Sequence, residues 1–219
     1  MSRPSTSQII KAKFKVQNLF GEEIEQYIAS KFEDLNKLRD QFLPKLSSSS
    51  DEEFLQVWNE IFPRYIALEF AYPKILRTSI LVSSYFLFED TLKQLCKQIE
   101  TNLFIKTKIN DLKGNVLSQA RLFLEGDTDL SFPDHESLWE DVDNIRQLRN
   151  CLAHNNGLVG WKDSKLSRIV HGHEHLDLDE AGGIVLGKGF NLWAFGRLEE
   201  LLLNIASFAD ASSSNGAYT

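Results

Sequence analysis

The chain lacks most of what would place it in a familiar functional class. None of its apolar runs approaches the roughly 20 residues needed to cross a bilayer, and the start, MSRPSTSQ, has no apolar core of the signal-peptide kind. A cytoplasmic protein without a membrane partner is therefore expected. Cysteine is scarce: Cys96 and Cys151 are the two, both inside apolar helical patterns, where buried thiols are expected rather than a disulfide or a metal pair. Positive charge is scarce too, at a net charge of -7, which argues against a broad nonspecific nucleic-acid coat but leaves room for a small cleft where one or two arginines meet a phosphate. There is no Gly-x-x-x-x-Gly-Lys phosphate loop, no Gly-x-Ser-x-Gly elbow, no His-Glu-x-x-His pair and no internal repeat. Gly182-Gly183 and Gly187-Lys188-Gly189 are too short to cradle a nucleotide, and no cofactor is implied.

What remains is helical periodicity. At 219 residues the chain can bury a sizeable core. Apolar residues keep the helical period from Gln8 to Lys45, with a break or restart expected near Gly21. Ser47 to Ser50 read as a polar linker, and Ser50-x-x-Glu53 is a capping box ahead of a helix from Asp51 to Phe70 that Pro63 should kink or split. Pro73 can open a helix from Lys74 to Phe104, apolar on nearly all sides at its centre. A short helix near Val116 to Leu124, a loop from Gly126 to Pro133 and a helix from Asp134 or Ser137 to His154 follow. Leu166 to Val170 and the stretch from His175 to Leu186 read as a small β-ribbon turning at Gly182-Gly183. Asn191 to Phe208 is the last helix. The fold class expected is all-α, a bundle of about five to seven helices with a small β-ribbon before the last one. Residues 1–72 form an N-terminal helical extension, 73–209 the main helical domain and 210–219 a disordered tail.

The stretch that asks for chemistry is Arg149-Asn150-Cys151-Leu152-Ala153-His154. Leu138, Val142, Ile145, Leu148 and Leu152 mark the buried stripe of their helix, and at ~100° per residue Arg149 falls in the same sector. A guanidinium keeps its charge, so burial demands an anion. That anion is a structural acid such as Glu89 or Asp143, a group on a partner chain, or a phosphate. His154, able to move protons near neutral pH, stands before an Asn-Asn-Gly stop and also suits the negative end of the helix dipole. Arg149 and His154 project ~140° apart from a regular helix. They meet one ligand only if the helix loosens near Ala153, if long side chains converge, or if a second copy contributes. Asn150 lies one turn before His154 and could orient its ring; Arg146 projects beside Asn150, as an RNA-backbone contact or as a solvated arginine.

Arg149, the polar Asn150, three further residues and His154 reproduce the Arg-polar-x-x-x-His motif of the HEPN-domain ribonucleases, and the stretch from Pro73 to Ala209 resembles that family. The resemblance implies a helical homodimer whose paired motifs line one cleft, and a metal-independent endoribonuclease acting as a toxin or antiphage-defence effector. The catalytic residues would be Arg149, His154 and Asn150, with Glu89 and Arg146 in support. The RNA's own 2′-hydroxyl would attack, leaving 2′,3′-cyclic phosphate ends. Such proteins can work with an antitoxin or regulatory partner. In the pairing with a nucleotidyltransferase-type antitoxin, however, a tyrosine stands two residues beyond the motif histidine, and here that residue is Asn156. Two alternatives stay open: a noncatalytic HEPN-like RNA- or protein-binding dimerisation module, and a zinc hydrolase built on His171, His173 and His175, whose alternation would put three imidazoles on one face of a strand.

Overall fold

The computed structural model describes residues 4–46, 51–128, 130, 135–160 and 164–215. It is an all-α bundle with a two-stranded antiparallel ribbon ahead of its last helix, as the periodicity predicts. The helices are α1 (Thr6–Leu46), α2 (Asp51–Ile66), α3 (Tyr72–Asn102), α4 (Val116–Asp127), α5 (His135–His154), α6 (Ser164–His171) and α7 (Phe190–Asn215). Strands β1 (Leu176–Leu178) and β2 (Ile184–Leu186) form the ribbon. The linker 47–50, with the Ser50 end of the capping box, most of the 129–134 loop and residues 216–219 lie outside the described residues.

Helix α3 is the axis of the bundle, with α1, α4, α5 and α7 packed around it. Its centre is apolar because Leu81, Tyr85, Phe88, Leu92, Cys96 and Ile99 are fully covered by the chain itself. Burial pushes the Cys96 thiol up to about 12, so it stays protonated. Ile10 and Phe14 of α1 belong to the same core as Leu198, Leu202 and Ile205 of α7.

Several local expectations are corrected. Helix α1 does not break at Gly21: a Cβ there would meet the Phe195 ring at 3.6 Å, so the glycine sits where α1 rides on α7 and caps nothing. Pro63 lies inside α2 without ending it. The irregularity comes later, as a π-helical turn at Ala67–Ala71 that leads directly into α3, a turn type that absorbs a residue out of helical register. Leu166 to Val170 are helical, in α6, not part of the ribbon: Leu166 and Val170, one turn apart, are both buried. The last helix passes Phe208 and the expected tail start, running to Asn215, with the Asp210 carboxylate accepting a 3.4 Å hydrogen bond from Ser7 of α1.

The ribbon turns where expected. Gly182 takes φ +78°, and the Asp179 carboxylate accepts from the N–H groups of Ala181 and Gly183 at 3.0 and 2.7 Å. Leu158, just beyond α5, pairs with Gly183, and Ile184 N–H donates to Gly157 O at 2.8 Å. The ribbon thus clamps the exit of α5. Among the described residues no helix is long and apolar enough to cross a membrane.

Candidate functional site at the end of helix α5

Eight side chains of α5 are buried, and Arg149 is among them with Leu138, Trp139, Val142, Ile145, Leu148, Cys151 and Leu152. Arg149 is 9% exposed, as the helical projection requires. Its Nη2 donates to Glu89 Oε2 on α3 at 3.0 Å. The guanidinium carbon lies 4.4 Å from the centre of the Tyr85 ring and 5.3 Å from that of Phe86, so two aromatic rings and one carboxylate enclose the cation. Tyr85 and Phe86 precede Glu89 by four and three residues, one turn of the same helix. Their part in the site was present in the spacing but not read from it, since aromatic residues in an apolar run are ordinarily core.

The enclosure is incomplete. Arg149 Nε is buried without a hydrogen-bond partner, as is the Tyr85 hydroxyl. Burial and the neighbouring Glu89 push that phenol well above its usual range, so it remains a neutral donor. Glu89 is the partner chosen from the two acids that sequence offers. Asp143 instead receives Arg146 Nε at 2.8 Å, Gln147 Nε2 at 2.6 Å and Lys165 Nζ at 3.2 Å. Burial alone would raise the Asp143 pKa, but the bonds from Arg146 and Lys165 hold it below the ordinary aspartate value. Arg146 is therefore half-buried and ion-paired in this network, not a solvated side chain.

His154 is exposed. Helix α5 stays helical through His154, so the helix does not loosen near Ala153 and the ~140° divergence from Arg149 stands. The two motif residues do not face one ligand within a single chain. Asn150, half-buried between them, makes no side-chain hydrogen bond among the described residues. Beyond His154 the helix ends through Asn156 and Gly157 at φ +52° and +77°, with Gly157 N–H returning to Cys151 O at 3.0 Å. Cys151 Sγ donates to Leu158 O at 3.3 Å.

The histidine tract is not a strand. His171 ends α6, where its Nδ1 bonds the Ser167 backbone oxygen at 2.7 Å, and His173 and His175 follow in turns. His173 packs edge-on against Trp193 and Phe190, with ring centroids at 4.3 and 5.1 Å. Burial, then the neighbouring His175, lowers its pKa. No three His, Cys, Asp or Glu side chains gather in metal-ligating geometry among the described residues. A cavity of about 280 Å³ between α5, α6 and the start of α7 is lined by Glu140, Asn144, Lys165, Arg168, His173 and Trp193. It lies off the motif.

Leu148 and Leu152, on the buried stripe of α5, are 1% and 7% exposed within one chain, covered by their own bundle. A run of exposed apolar side chains lies elsewhere: Leu55, Trp58, Phe62, Tyr65 and Ile66 on α2, Phe70 in the π-helical turn, and Tyr72 and Ile75 at the start of α3. Lys74 reaches Asp179 of the ribbon turn at 3.8 Å, and that turn clamps the exit of α5, so the start of α3 is linked through the ribbon to the end of α5 that carries His154. No family model matches the chain, and comparisons with curated proteins and with solved structures likewise give no match.

Proposed function

We propose that this chain is a metal-independent endoribonuclease of toxin or defence type, working as a homodimer in which each cleft takes Arg149 from one copy and His154 from the other. The observation that carries the reading is the state of Arg149: a guanidinium held rigid between Tyr85 and Phe86, with one N–H given to Glu89 and a buried Nε that has no partner. Orphaned buried donors are costly, and an anion drawn in beside Glu89 would use those left over. The exposed apolar surface of α2 and the start of α3 supplies an assembly face of the kind that such patches mark.

In this reading the 2′-oxygen attacks the adjacent phosphorus and the bond to the 5′-oxygen breaks. The 2′-hydroxyl proton leaves to a base, and a proton is delivered to the departing oxygen. His154, open to solvent, assists these transfers. Arg149 stabilises the charge that builds on the phosphoryl oxygens, and Asn150 positions the imidazole or the phosphate. Glu89 fixes the rotamer of Arg149. The nucleophile belongs to the substrate, so no metal-bound water is needed. The test is cleavage of RNA in excess EDTA, with 2′,3′-cyclic phosphate ends on the products.

The second reading, a noncatalytic HEPN-like module acting through RNA, an antitoxin or another regulatory partner, is favoured by one observation: Glu89 already neutralises Arg149 inside the chain. There Arg149 is a strut, and stability, not cleavage, depends on it.

A further inference from the structure

Helix α1 meets the start of α7 beside a cavity of about 350 Å³, a size that holds a small molecule. Asn18, Glu22, Glu25 and Ala29 line it from one face of α1, at the three- and four-residue steps of a helix. Gly21 lines it too, and the side chain it lacks leaves the space open. Ile80 of α3, with Leu192 and Phe195 of α7, supplies an apolar wall. No lining residue belongs to α5, so the cavity is separate from the Arg149 site.

The polar groups of this cavity are mostly acceptors, and several are unspent. Asn191 donates its Nδ2 to Arg77 O at 3.0 Å, which fixes the amide and leaves its buried Oδ1 without a donor among the described residues. Asn18 Oδ1 is buried without a donor as well. The Asn18 side chain makes no hydrogen bond among the described residues, so its amide is free to turn toward the cavity it lines. Arg77 cannot supply the missing N–H. Its guanidinium gives Nε and Nη2 to Glu25 and Nη1 to Leu186 O, and the same pair occupies the Glu25 carboxylate. Glu22 is exposed and in no ion pair among the described residues. The lining cation, Lys188, is also exposed, and its long side chain can keep the ammonium in water.

Buried acceptors without donors are costly. A primary ammonium carries three N–H donors and no acceptor, which matches the amide oxygens of Asn18 and Asn191 and the Glu22 carboxylate in number and in charge. A carboxylate or phosphate would bring acceptors to acceptors. The apolar wall beside these groups suits a hydrocarbon body.

We propose that the cavity between α1 and α7 binds a small primary amine with an aliphatic or aromatic body, the ammonium held by Asn18, Asn191 and Glu22 and the body by Ile80, Leu192 and Phe195. The site does not depend on the ribonuclease reading. Because α1 and α7 both line it, an occupant ties the first helix to the last and stabilises the folded chain.

The probes are phenethylamine and isoamylamine, with phenethyl alcohol and phenylpropionate as neutral and anionic molecules of similar shape, each titrated calorimetrically into the full chain. At least one amine is expected to bind and to raise the melting temperature with concentration. The alcohol should bind about tenfold more weakly, and the anion not at all. Gly21→Leu should fill the cavity and abolish binding; a Cβ there meets Phe195 Cε2 at 3.6 Å, an ordinary contact that the fold tolerates. Asn18→Ala removes an acceptor that nothing uses in the empty site, so it should leave the melting temperature of the unliganded protein unchanged or higher while weakening amine binding about tenfold. Lys188→Ala should leave amine binding unchanged or tighter. Binding of neither amine, or equal binding of phenethylamine and its alcohol, overturns the proposal. So does amine binding that survives Gly21→Leu or Asn18→Ala, or that weakens in Lys188→Ala. Cleavage of RNA is a separate readout, so this site and the ribonuclease reading fail independently.

Discussion

Arg149 of α5 and Glu89 of α3 meet at 3.0 Å, the guanidinium against the Tyr85 ring at 4.4 Å. Their side chains are 11% and 20% exposed, which places the pair between a surface bridge and a fully buried one. Removing one partner leaves the other charged and poorly solvated. Arg149→Ala is expected to destabilise by up to about 3 kcal/mol, at the lower end for broken buried pairs because Glu89 opens to solvent. Arg149→Lys should recover part of that stability. It should still lose cleavage, since an ammonium lacks the planar fork that stacks and bonds two oxygens at once. Denaturant melts and cleavage rates on the same two proteins check this; activity that merely follows the folded fraction supports the strut.

That Arg149 would be buried was legible, since the leucine spacing around it fixes its direction. That Glu89 would meet it was readable as one of two acids, because an acid inside YFLFED has little else to do. The aromatic enclosure was not legible: Tyr85 and Phe86 differ from their apolar neighbours only in which way α3 is rotated against α5. Leu166 to Val170 is a different case: Leu166, Ile169 and Val170 stand at the i, i+3, i+4 spacing of one helix face, and only the shortness of the run lets it pass for a strand. Gly21 shows the converse error. A glycine in a helical pattern signals a break locally, but Gly21 lies within a continuous helix beside Phe195, where a Cβ would make only ordinary contact at 3.6 Å.

The first helix is part of the core. Phe14 is fully buried in the core shared with α3 and α7, and Arg77 of α3 ties that helix to α1 through bonds to Glu25 at 2.6 and 2.8 Å and to β2 through Leu186 O at 2.9 Å. Phe14→Ala should destabilise by about 3–5 kcal/mol in chemical denaturation. A change below about 1 kcal/mol would mean that α1 does not pack as described.

The exit of α5 depends on Gly157. Its φ is +77°, and a Cβ there would lie 3.1 Å from Leu152 Cδ2. Gly157→Ala should cost about 1–2 kcal/mol through the left-handed backbone alone, and because the Gly157 O–Ile184 N bond holds the ribbon, amide exchange at Ile184 should quicken. Unchanged exchange would detach the ribbon from the turn.

Burial and the adjacent His175 lower the pKa of His173 below 6.5. A depressed folded-state pKa means that the unfolded chain binds the proton more readily. The contribution is therefore intact above about 6.5 and is lost as pH falls through the lower folded value. Melting temperature should fall on acidification in that window, and His173→Gln should flatten the fall. An unchanged slope in the variant would place the acid sensitivity elsewhere.

His154 offers the cleanest separation of chemistry from structure, since it is exposed and its loss should shift stability by no more than about 0.5 kcal/mol. The deciding measurement is the rate of RNA cleavage by wild type and by His154→Ala, at equal folded concentration and in excess EDTA. The account predicts cyclic-phosphate products from wild type and a rate about 10²–10⁴ lower in the variant, with melting unchanged. Equal rates in the two proteins, or no cleavage by the wild type, would contradict it.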